Sequence, residues 1–160
     1  MIRRPPIRFA PICFVFAAGL PHAAGAVSCT VSATPAVFGG YNPLGGPALD
    51  TAATVTTDCS NTISLFVNTT VALSPGGGGN YAARRLLSGT GQLAYQLYTD
   101  SARSTVWGDG SAGTSVKTDG YMLAVGVRVT RGYTVYGRIP AGQRVPAGTY
   151  TDAILVTLTY

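Results

Sequence analysis

Six aspartates carry all the carboxylate chemistry of this 160-residue chain: Asp50, Asp58, Asp100, Asp109, Asp119 and Asp152. A pair of them could in principle supply the acid and base of glycoside cleavage. Most sit in turn-like surroundings, where an aspartate side chain bonds local backbone amides, and turn or capping roles are the expectation. The one histidine, His22, lies within the first 26 residues together with Cys13. Beyond that point neither a Ser-His-Asp nor a Cys-His arrangement can be assembled. Two cysteines remain, Cys29 and Cys59. They lack the CxxC spacing of a redox or zinc pair and have no histidine to complete a metal site. Neither a catalytic residue, nor a metal, nor a cofactor is expected.

Other segments invite a ligand and have a plainer reading. Trp107-Gly108-Asp109-Gly110 could stack a sugar ring on Trp107 and bond its hydroxyls through Asp109. These two are the candidate glycan contacts, but burial of the indole over a Gly-Asp-Gly turn is favoured. An EF-hand calcium spacing is missing. Gly76 to Gly79 is not followed by the Lys-Ser/Thr of a phosphate loop and reads as a flexible connection. Asn68-Thr69-Thr70 matches a glycosylation triplet of a kind common in Thr-rich chains, and Arg84-Arg85 reads as a solvated loop pair.

The elements that must position these residues are strands. After residue 26 the chain is rich in Val, Thr, Tyr, Ala and Gly, with no Glu and one Lys. That composition disfavours helix and suits strand. Alternation predicts a strand carrying Ile63, Leu65 and Val67 on one face, and another carrying Leu93, Tyr95 and Leu97. It predicts a third through Leu123, Val125, Val127 and Val129, and a last from Thr149 to Tyr160 with Ile154, Val156, Leu158 and Tyr160 on one side. Gly/Pro turns separate the runs, and short strands so punctuated predict one all-β sandwich domain over residues 27–160. The apolar terminal strand is expected inside a sheet with a neighbour on each side, because an uncovered edge is a template for another chain.

The first 26 residues read as an export signal: Arg3, Arg4 and Arg8, an apolar run from Phe9 to Leu20, then Ala24-Gly25-Ala26 for the peptidase. The run is too short to span a bilayer, so no membrane anchor is expected after cleavage. Cleavage removes three of the eleven basic residues and leaves eight against six Asp, a nearly neutral protein with no surface for nucleic acid. Export also places Cys29 and Cys59 in an oxidising compartment, where one structural disulfide is expected. Closing a loop of about 30 residues would stabilise the fold by roughly 3–4 kcal/mol.

Three motifs occur together in order. They are Cys29-Thr-Val-Ser-Ala-Thr-Pro-Ala-Val-Phe-Gly-Gly-Tyr-Asn-Pro43 with Val55-Thr-Thr-Asp-Cys59, then the segment Leu93 to Gly110, then Val135-Tyr-Gly-Arg-Ile-Pro-Ala-Gly-Gln143 followed by Pro146-Ala-Gly-Thr-Tyr-Thr-Asp152. With these the chain resembles the spore coat protein U domain family, which includes subunits of archaic chaperone–usher pili. The resemblance implies an incomplete immunoglobulin-like β-sandwich lacking its final strand, with Cys29 and Cys59 as the family's disulfide. It implies as partners a periplasmic chaperone, an outer-membrane usher and neighbouring pilus subunits, the missing strand being supplied by donor-strand complementation. Ile154, Val156, Leu158 and Tyr160 are then the candidate residues lining or flanking the acceptor groove.

The implied function is a structural or adhesive subunit of a surface pilus, exported through the periplasm and active in cell adhesion and biofilm formation. With Val27 and Ser28 alone before Cys29 after cleavage, the chain is expected to accept a strand without donating one. The alternatives are a self-folding secreted or spore-coat protein, and a carbohydrate-binding module using Trp107.

Overall fold

The computed structural model describes residues 13–16 and 27–160 of the chain. Its strands are β1 (Cys13–Phe16), β2 (Val27–Ala33), β3 (Leu49–Asn61), β4 (Leu65–Leu73), β5 (Arg85–Ser88), β6 (Gly91–Ala94), β7 (Gln96–Tyr98), β8 (Lys117–Leu123), β9 (Val129–Ile139) and β10 (Ala153–Thr159). They form two four-stranded sheets, one in the order β1-β10-β4-β8 and the other in the order β2-β3-β9-β7, with β5-β6 as a separate hairpin. The fold is therefore the all-β sandwich that the alternation of side chains implies, consistent with the immunoglobulin-like architecture that the family resemblance implies.

The period-2 pattern decides which faces meet. Along β3, Ala53, Val55, Thr57, Cys59 and Asn61 are buried at every second position, and along β4 Val67, Thr69, Val71 and Leu73 are. The resulting core has two parts. The larger gathers Val55, Val71, Leu73, Leu86, Leu93, Leu97, Trp107, Val135, Ile139, Tyr150, Ile154 and Val156, among others. The smaller surrounds Cys59 with Val67, Tyr121 and Leu123. Thr57 and Thr69, both buried, stand between the two parts along their strands. Cys29 and Cys59 are directly opposite in the β2–β3 ladder and are joined by the expected disulfide.

All four expected strands are broken or shorter than the alternation implies. The run Leu93 to Leu97 is split at Tyr95 into β6, in the hairpin, and β7, in the second four-stranded sheet. The last strand runs from Ala153 to Thr159 rather than from Thr149 to Tyr160. The run Leu123 to Val129 is not one strand: β8 ends at Leu123, Val125 and Val127 are exposed, and β9 starts at Val129 in the opposite sheet. Gly126 there has φ +70°, a left-handed conformation that breaks a ladder and that an L side chain rarely adopts. Ile63 is exposed and precedes β4. The reason is Asn61, whose side-chain amide donates to the carbonyls of both Ile63 and Leu123 and so folds the chain between β3 and β4 into a bend.

Candidate strand-acceptor edge

β10 is positioned from its N-terminal end. Thr151 exchanges backbone hydrogen bonds of 3.0 and 2.8 Å with Leu87, which ties the segment to the β5–β6 hairpin. Ser74 follows β4 and grips Leu155 twice, its N–H donating to the Leu155 carbonyl and its Oγ accepting from the Leu155 N–H, both at 2.9 Å. From there β10 pairs antiparallel with β4, from Val156↔Leu73 to Thr159↔Thr70.

Beside the start of β10 lies a buried polar network that the sequence reading did not anticipate. Asp152 accepts from the Tyr95 hydroxyl at 2.6 Å and from the backbone N–H groups of Gly77 and Ala153 at 2.8 Å. Arg84 is not a solvated loop residue. It is 0% exposed and donates to Gln96 Oε1 at 2.6 Å and to the carbonyls of Ser74 and Trp107 at 2.8 Å. Its guanidinium also lies 5.4 Å from the centre of the Tyr81 ring. Burial pulls the Arg84 pKa below its ordinary value, opposed by the nearby Tyr95, Tyr81 and Asp152. Burial, reinforced by the charge of Asp152, pushes the Tyr95 hydroxyl up. A signal for both residues was present in the pattern: Arg84 shares the parity of buried Leu86, and Asp152 that of Ile154 and Val156. Polar residues on an inward face must find partners, and these did.

The Gly76–Gly79 segment is likewise not a flexible connection. It forms a short 3-10 turn whose Gly77 N–H is held by Asp152. Gly76 has φ +74°, and a Cβ there would stand 2.2 Å from Asp152 Oδ2 and 2.9 Å from Ile154 Cδ1. No side chain fits.

Of the groove candidates, Ile154 and Val156 are fully buried, and Leu158 packs against the core from a half-buried position. Tyr160 departs from the alternation: it lies past the end of β10 and is 55% exposed. On the side of β10 away from β4 runs β1, in parallel, with Cys13↔Ala153, Phe14↔Ile154, Val15↔Leu155 and Phe16↔Val156. Every other ladder between named strands is antiparallel. Within residues 27–160, β10 is thus an edge strand, and its free edge is taken by backbone from residues 13–16. The remainder of the expected export signal, residues 1–12 and 17–26, lies outside the described residues.

The glycan candidates are not a platform. Trp107 is 0% exposed, with Nε1 donating to the Val71 carbonyl at 3.0 Å, so its ring fills the core and offers no face to a sugar. Asp109 makes a local turn, accepting from the Ser111 N–H at 2.9 Å and hydroxyl at 2.5 Å, and these bonds hold its carboxyl below the usual range. Asp100 closes another turn through the N–H groups of Ser104 and Thr105. Asp50 pairs with Arg138 and Arg103, Asp58 with Arg128, and Asp119 with Arg131. The carboxylates are dispersed among structural partners, and among the described residues no group of three or more metal-ligating side chains gathers.

A chain of this architecture, disulfide and motif order defines a class. Residues 15–157 match the Spore Coat Protein U domain, and the chain belongs to that family. It is 33% identical over 132 residues to protein U of Myxococcus xanthus, an alignment covering 77% of this chain and 70% of that protein. Among solved structures it is similar to the chaperone–tip adhesion subunit pre-assembly complex CsuC–CsuE of the archaic chaperone-usher Csu pili of Acinetobacter baumannii, with 19% identity and a TM-score of 0.49. That match covers 84% of this chain, which spans 40% of the other.

Proposed function

We propose that this protein is a subunit of an extracellular protein fibre or coat and is incorporated by accepting a β-strand from another polypeptide along the free edge of β10. The observation that carries the reading is the parallel pairing on β10: the edge left open by the sandwich of residues 27–160 receives a strand from outside it. The physics of β-augmentation suits such an edge, since an added strand satisfies a row of backbone groups and supplies side chains to the adjoining core. The buried face of Ile154 and Val156, with Leu158 next to it, is the apolar floor against which a donated strand would lie. Membership of the spore coat protein U family supports a structural role over an enzymatic one.

The route follows from the same reading. The first 26 residues direct export and are removed, a periplasmic chaperone then lends a strand to the edge, and a neighbouring subunit replaces it at an outer-membrane usher. Adhesion and biofilm formation are the biological output. The test is to produce the exported chain alone and together with a candidate chaperone and a candidate neighbouring subunit. Strand acceptance expects a stoichiometric soluble complex with the helper and, without it, a less stable subunit prone to aggregation and degradation. A stable, monodisperse protein without any helper would instead identify a self-sufficient coat protein.

A further inference from the structure

The strand on the acceptor edge comes from the segment expected to leave. Cys13–Phe16 belongs to the apolar run between Phe9 and Leu20, upstream of Ala24-Gly25-Ala26. We propose that the leader is a self-donated strand, which closes the acceptor edge in the uncut chain and is released by proteolytic processing. Processing would then be the step that converts a self-capped subunit into one able to take a strand from another chain. This rests on the reading of β10 as an acceptor edge.

Three features support self-donation. The register sets β1 along Ala153–Val156, the half of β10 whose inward residues Ile154 and Val156 are fully buried, which is where an added strand covers most core. All four residues of β1 are apolar, so no charge is brought to that edge. The tether is short: residues 17–26 separate Phe16 from Val27, where β2 begins, and both β1 and β10 approach β2. A strand on a short tether acts at an effective concentration on the order of millimolar, so a donor strand on a second chain at micromolar concentration is excluded by a factor of about a thousand. Hydrolysis of the Ala26–Val27 peptide bond consumes one water and leaves a carboxylate on Ala26 and an amine on Val27. The tether advantage is lost with it, and the strand becomes exchangeable.

The experiment uses the full chain, folded intact, with a protease recognition sequence placed between Ala17 and Ala26. The probe is a fluorescent peptide with the sequence of residues 11–18. Self-donation expects the uncut protein to exclude the peptide and the cut protein to take it up about a hundredfold faster or more. A second measurement reads the register directly. In a Cys13→Ala background, Val15→Cys with Leu155→Cys forms a disulfide, since register partners lie within bridging distance, whereas Val15→Cys with Thr159→Cys does not. The locked protein should stay closed after cutting. Equal uptake by cut and uncut chains, or absence of the 15–155 cross-link, overturns self-donation. If the cut chain nevertheless captures the peptide, the acceptor edge stands without it, whereas no uptake by either form overturns both.

Discussion

At the scale of single residues, the side chains that looked like chemistry turn out to build the sandwich. Arg84 is the clearest case, a fully buried guanidinium holding Gln96, Ser74 and Trp107 together. Its removal leaves several buried acceptors without a donor, so Arg84→Ala is expected to cost about 3–5 kcal/mol, read by urea denaturation. Arg84→Lys should recover less than half of this, because an ammonium lacks the planar fork that reaches three acceptors. Tyr95 sets a pH dependence. Its folded pKa is raised by burial and by Asp152, so its contribution is whole below the ordinary tyrosine value of 10.0 and is lost as pH rises above it. Stability should fall above that pH by about 1.4 kcal/mol per unit for each such tyrosine, and Tyr95→Phe should reduce the slope. At the acid end the sign reverses. The Asp50 carboxyl is lowered, chiefly by its bond to Arg138, so its contribution is present above 3.8 and disappears as pH falls further. Melting temperature against pH checks both limbs.

At the scale of elements, alternation made much of the sandwich legible. Ile154 and Val156 are both buried, because a strand with one face in the core reports that face by parity. Leu93, Tyr95 and Leu97 keep the expected burial although the run is split at Tyr95 between β6 and β7. The same rule failed at Val125 and Val127, where apolar residues continued the parity through a turn around Gly126. Arg84 was missed for a related reason: its charge suggested water, although its parity with Leu86 placed it inside. The Gly76 turn was hidden as well, since its need for glycine comes from Asp152 and Ile154, more than 70 residues away in sequence. Long-range contacts of that kind leave no local trace. Gly76→Ala should therefore destabilise the protein by about 2–4 kcal/mol, through a positive φ and a clash at the start of β10. Gly79→Ala, with open space around its Cβ position, should cost only about 1 kcal/mol. Paired thermal melts of the two variants separate crowding from backbone strain.

At the scale of the whole molecule, two devices close the sandwich. The disulfide joins β2 to β3 at the smaller core, and its replacement by Cys29→Ala with Cys59→Ala should lower stability by about 2–5 kcal/mol. The other device is the strand on β10, and it does not come from residues 27–160. A sheet whose last edge is filled from elsewhere is stable in proportion to the occupancy of that edge, by simple mass action. The most direct measurement is hydrogen exchange at the backbone amides of Ala153–Thr159 in the processed protein, first alone and then with a strand donor bound. Strand acceptance expects fast exchange in the free protein at the β10 amides that face away from β4 and strong protection of these amides in the complex, with the amides of β3 and β9 protected in both. Full protection of Ala153–Thr159 in the isolated processed chain would contradict it.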